Sequence, residues 1–116
     1  QVTEVQIATI GEDRLVGLEA RGRGTLLTRP FQLDGRRLVV NANVRAGGSI
    51  RVAVIDRRGK MLKRFSIDRA RPIEDDQPAA VARWKGNPKL GSLDGDVVQL
   101  RFEVERATIY SFGIAK

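Results

Sequence analysis

Leu38-Val39-Val40-Asn41-Ala42-Asn43-Val44 is the stretch on which the fold class turns. Leu38, Val40, Ala42 and Val44 fall on one face of an extended chain, and Asn41 and Asn43 fall on the other. Successive side chains of a strand point to opposite faces, so this alternation is that of a half-buried strand. Residues 49–56 repeat it with Ile50, Val52 and Val54 against Arg51 and Ala53. Residues 98–104 repeat it again, with Leu100 and Phe102 against Gln99, Arg101 and Glu103. Weaker strand patterns cover residues 3–10, 15–20, 25–28, 79–84 and 108–114. The last of these places Tyr110, Phe112 and Ile114 on one side, so period 2 assigns Phe102, Tyr110 and Phe112 to the core.

Between these runs stand turn-forming residues: Gly22 and Gly24, Asp34-Gly35, Gly47-Gly48, Arg58-Gly59, Asn87-Pro88 and Asp94-Gly95. Glycine tolerates the positive φ that tight turns require. Gly47-Gly48 between two alternating runs predicts a hairpin, and so does Asp56-Arg57-Arg58-Gly59-Lys60 before Met61-Leu62. Neighbouring strands are therefore expected to be largely antiparallel. No dozen-residue window keeps helical spacing, although residues 88–93 suit one short turn. Eight or so short strands at this spacing predict an all-β, two-sheet antiparallel β-sandwich, jelly-roll-like, with a closed barrel as the alternative.

The chain has 116 residues, 41% of them hydrophobic and 30% charged, the size and balance of one globular domain over residues 1–116. It starts at Gln1 without signal-like character, which points to a domain excised from a larger protein or to processing. No apolar run reaches membrane-spanning length. Cysteine and histidine are absent. Their absence excludes disulfides, Cys/His zinc sites, thiol nucleophiles and every histidine-based triad. The formal charge of +7 invites a nucleic-acid or polyanion reading. The excess is spread along the chain except around Arg57, Arg58, Lys60, Lys63, Arg64, Arg69 and Arg71, where a solvated hairpin accounts for it. That stretch holds only Phe65 for base stacking, and no helix is available for a major groove, so nucleic acid is not the expected partner.

From Gly24 onward the order of motifs resembles the C-terminal β-sandwich module of glycosidases built on a five-bladed β-propeller, among them sialidase-like and fructan- or arabinan-hydrolase-like proteins. The resemblance rests on Gly24-Thr25-Leu26-Leu27-Thr28-Arg29-Pro30-Phe31, Leu38-Val39-Val40-Asn41, Ile50-Arg51-Val52, Asp56 and Gly59. It continues through Phe65-Ser66, Pro72-Ile73, Arg83-Trp84, Leu93-Asp94-Gly95, Val98-Gln99-Leu100-Arg101-Phe102 and Ile109-Tyr110-Ser111-Phe112. Two positions depart from it. Arg64 stands where the family often has Gly before Phe-Ser, which suggests a different local turn, and Asp75-Asp76 where it has Gly-Asp. The resemblance implies a non-catalytic accessory module, docked on a catalytic propeller of the same chain in an exported (periplasmic or extracellular) carbohydrate-active protein. No catalytic residue carries over, because in such proteins those lie in the propeller.

The residues themselves give the same expectation about catalysis. Paired carboxylates are the remaining catalytic chemistry. Adjacent Asp75 and Asp76 would point to opposite sides of an extended chain, while Asp94 and Asp96 bracket Gly95 in a turn, where carboxylates cap backbone amides. No catalytic residue and no cofactor is assigned. Structural calcium is the alternative, with Asp68, Glu74, Asp75 and Asp76 as oxygen donors opposed by Arg69 and Arg71. The candidate ligand-binding residues are Asn41, Asn43, Arg51, Gln99, Arg101 and Glu103, which form one outer face if their strands are neighbours. Trp84 is a further candidate, either sealing the core or lying at its rim. Such a face suits hydroxyls, and its Arg residues suit uronate or sulfate groups. An autonomous module for acidic polysaccharide is thus the second functional reading.

Overall fold

β1 (Val2–Ile7), β2 (Asp13–Thr28), β3 (Phe31–Gln32), β4 (Arg37–Asp56), β5 (Gln77–Val81) and β6 (Val97–Ala115) make up one sheet in the order β1-β2-β6-β4-β5, with β3 paired to β6 beyond the end of β2. The computed structural model describes residues 2–7, 13–75 and 77–116. Residues 8–10 of the expected first strand lie outside them. Among the described residues the fold is all-β, with single 3-10 turns at Lys63–Phe65 and Leu90–Leu93. β2–β6, β3–β6, β4–β6 and β4–β5 are antiparallel. β1 runs parallel to β2, with Val2 opposite Arg23 and Ile7 opposite Thr28, so the sheet is largely but not wholly antiparallel.

The predicted short strands fuse into long ones. The runs at 38–44 and 49–56 are both parts of β4, and those at 98–104 and 108–114 are both parts of β6. Gly47-Gly48 is not a hairpin: Val44 faces Ala107 and Ser49 faces Glu105 on the same β6. The chain therefore continues in one direction through a bulge. Gly22 and Gly24 likewise lie inside β2, beside a register shift between Ala20 and Arg23. Extra residues on one strand of a ladder bend it and increase its twist without reversing it. Gly47 at φ 79° and Arg106 at φ 48° place left-handed residues on both strands at the β4–β6 bend.

How far the sheet bends is shown by two rings. Phe102 and Phe112 are ten residues apart on β6, roughly 33 Å of extended chain, yet their centroids lie 4.8 Å apart. β6 folds back over the bend, carrying β2 and β4 with it, and the apolar face of one half covers that of the other. Leu38, Val40, Ala42, Ile109 and Phe112 from one half meet Leu26, Ile50, Val52, Val54, Leu100 and Phe102 from the other in one core.

The second hairpin expectation holds. The Asp56 amide donates to the Lys60 carbonyl, the Gly59 amide to the Asp56 carbonyl, and Leu62 N–H returns to Val54. Asp56 Oδ1 accepts from the Arg58 and Lys60 amides at 2.9 and 3.0 Å. Gly59, at φ 85°, supplies the left-handed residue of this turn.

Candidate functional site

The structure divides the predicted outer face in two. Arg51, Gln99, Arg101 and Glu103 lie beyond the bend, where Arg51 stands opposite Glu103 and Ala53 opposite Arg101. Asn41 and Asn43 lie before it, opposite Ser111 and Thr108. All six occupy the outer side of the same sheet, but the fold turns the two groups away from each other.

Much of the first group is engaged within the protein. Gln99 Nε2 donates to the Thr28 carbonyl at 2.8 Å, and Leu100 N–H donates to Thr28 Oγ1 at 2.9 Å. These bonds bridge the gap between the end of β2 and the start of β3, where Arg29-Pro30 interrupts the ladder. Thr28 is fully buried, so its hydroxyl replaces a sheet bond there. Arg101 Nε lies 3.5 Å from Glu103 Oε2, and Arg23 Nε lies 3.6 Å from Glu105 Oε1. Arg51 borders a shallow hollow with Arg23, Glu103 and Glu105, whose charges balance.

Trp84 is core. Its ring is 2% exposed, its Nε1–H donates to the Val52 carbonyl at 2.9 Å, and Phe65 meets it edge-on at 5.0 Å. A buried indole offers no face to a sugar. Phe65 is also fully buried, which leaves the Arg57 to Arg71 stretch without an exposed ring.

Tyr110, not Trp84, is the ring that the fold exposes. Period 2 placed it inside with Phe112, but it is 46% exposed. The cause is a bulge: Ala42 pairs with Ile109 and Asn41 pairs with Ser111, so Tyr110 is the extra residue between them. The insertion changes the phase of β6, and Ile109 with Phe112 fills the core instead. Tyr110 thus lies on the outer side with Asn41, Ser111, Asn43 and Thr108, a strip combining a ring face with carboxamides and hydroxyls. The strip is bordered by Glu19, which stands opposite Thr108 and pairs with Arg45 at 2.7 Å. No glycine or proline marks this bulge, and the sequence pattern alone gave no sign of it.

A groove of about 630 Å³ opens at the other edge of the same half. Its cationic lining is Arg36, Arg37, Arg83 and Lys89; Asn87 and the half-buried Pro88 complete its wall, and no carboxylate lines it. The Ala82 amide bonds the Leu38 carbonyl at 2.9 Å and Val39 pairs with Val81, which brings residues 82–92 beside the start of β4. Gly86 at φ 82° and Asn87 at φ 52° turn the chain back along the groove.

Among the described residues no three carboxylates gather where a metal ion could sit, and Asp76 lies outside them. Asp94 Oδ1 accepts from the Gly35 amide at 3.0 Å, the capping role its turn suggested. No helix among the described residues is long and apolar enough to cross a membrane. Compared with known proteins, the chain matches no family model, no curated protein and no solved structure.

Proposed function

We propose that this chain is a non-catalytic accessory module of a carbohydrate-active, glycoside hydrolase-like protein, docking on a catalytic β-propeller and making a weak glycan contact of its own. On this reading the folded sheet is a jelly-roll-like sandwich whose two layers are the halves on either side of the bend. The observation that carries the glycan contact is the strip of Asn41, Asn43, Thr108, Tyr110 and Ser111. An exposed ring stacks on a pyranose face while neighbouring amides and hydroxyls bond its hydroxyl groups. The docking reading rests on an order of sequence motifs that resembles that of the propeller-associated modules, and exported localisation is what the same resemblance implies.

The glycan contact is tested by titrating the isotopically labelled protein with neutral oligosaccharides and following backbone amide resonances. Shifts should concentrate at Asn41, Asn43 and residues 108–111 and should vanish in Tyr110→Ala, and the protein should hydrolyse none of the glycans. Shifts confined to other surfaces, or measurable hydrolysis, would refute the reading. Docking is tested by calorimetry on a chain that joins this module to its propeller. One cooperative transition is expected, whereas two independent ones would remove docking from the proposal.

A further inference from the structure

We propose that the groove bounded by Arg36, Arg37, Arg83 and Lys89 binds a short segment of an acidic glycan through its uronate carboxylates or sulfate esters. The inference rests on the carbohydrate-linked reading above and gives the protein a second, chemically distinct site.

Charge and shape coincide at the groove. Some surface cations meet carboxylates, Glu19 pairing with Arg45 at 2.7 Å, Glu105 with Arg23, Glu103 with Arg101 and Asp34 with Lys116, while those between Arg57 and Arg71 form no ion pair among the described residues. What distinguishes the groove is that four cations surround one concavity with no carboxylate in its lining, whereas the hollows beside Arg51 and Arg71 include carboxylates. The four cations of the groove form no ion pair with any described carboxylate. Concentrating four like charges around one concavity costs repulsion that an anion relieves.

Two of the four side chains have neighbours that limit their movement. Gly91 lies beneath the aliphatic stem of Arg36, and a Cβ at position 91 would come within 3.2 Å of Arg36 Cγ. Arg37 Nη2 donates to the Lys116 carbonyl at 3.3 Å. Guanidinium forks match carboxylate and sulfate oxygens two at a time.

Size and composition select the occupant. A volume of about 630 Å³ falls within the roughly 300–1,000 Å³ of small-ligand sites, larger than one inorganic ion requires and open enough for a chain to pass. Single-stranded nucleic acid is held by bases stacked on exposed rings. The one aromatic residue lining this groove, Trp84, is 2% exposed. An acidic glycan needs charge and hydrogen bonds, which Arg36, Arg37, Arg83, Lys89 and Asn87 supply.

The test is calorimetric titration, with parallel amide-shift mapping, of the full chain against four probes: a galacturonate trimer, a sulfated tetrasaccharide, neutral cellotetraose and an eight-residue oligothymidylate. Either acidic probe should bind and shift the amides of Arg83, Asn87, Lys89 and Gly91, and comparing the two assigns the preferred group as carboxylate or sulfate. Arg36→Gln/Arg83→Gln should weaken that binding by at least about tenfold. Arg57→Gln/Arg58→Gln, which removes the same charge from the distant hairpin, should change it by less than about twofold. The proposal is overturned if neither acidic probe binds, if cellotetraose shifts the groove amides equally, if the oligothymidylate binds more tightly, or if both double variants lose affinity alike. Shift mapping on the unmodified protein keeps the test valid should a variant fold poorly. Neutral-sugar shifts around Tyr110 are read from different amides, so failure at the groove is distinguishable from failure of the glycan-strip reading.

Discussion

The indole of Trp84 links the chain that follows β5 to the far half of β4, through one hydrogen bond to the Val52 carbonyl and an edge contact with Phe65. Trp84→Phe preserves much of the packing but leaves a buried carbonyl without its donor, so a loss of about 1–3 kcal/mol is expected. Trp84→Ala empties the site and should cost about 3–5 kcal/mol. Urea denaturation separates the two, and a Trp84→Phe midpoint equal to that of the parent would show that the bond contributes nothing. Asp56 makes a prediction about pH. The hydrogen bond from the Lys60 amide, opposed by some desolvation and aided by the Arg58 amide and the charges of Arg58 and Lys60, holds its carboxyl below the ordinary value of 3.8. A depressed native pKa means that the carboxylate supports the turn fully above the unfolded value, about 3.9, and that this support is lost as pH falls through the lower native value. An NMR titration of the Asp56 carboxyl carbon should therefore have its midpoint below 3.8, and a midpoint at or above it would contradict the hairpin geometry.

At the scale of the element, the same residue type does two jobs. Gly59 sits at a true reversal, and a Cβ there meets nothing within 4 Å. Gly48 sits where β4 bends across β6, and a Cβ there would lie 2.5 Å from the Arg106 carbonyl oxygen and 2.6 Å from that of Glu105. Gly48→Ala must force two backbones apart and should lose roughly 1–3 kcal/mol. Gly59→Ala carries only the left-handed φ penalty, about 1 kcal/mol. Comparing their denaturation midpoints tests whether close approach dominates at the bend, and equal losses would show that it does not. The bulge at Tyr110 belongs to this scale too, since one inserted residue exchanges an expected core ring for a surface one.

Taken whole, the molecule joins both halves of the bent sheet in one core, and Trp84 reports from within it. Unfolding followed by Trp84 fluorescence and by far-ultraviolet circular dichroism should give superimposable transitions; separated midpoints would mean that the halves melt independently. The sequence by itself determined the all-β class, the inward set Leu38, Val40, Ala42, Ile50, Val52, Val54, Leu100 and Phe102, and the hairpin at Asp56, because alternation and turn chemistry are local properties of the chain. Only the tertiary structure decided that Gly47-Gly48 bends a strand rather than reversing it, since a bulge and a hairpin turn use the same residues and differ in what pairs on either side. It also decided the candidate sites. Tyr110 is exposed by an insertion defined relative to its partner strands, and Arg36, Arg37, Arg83 and Lys89 meet because β5 pairs with β4, a long-range contact that no local pattern records.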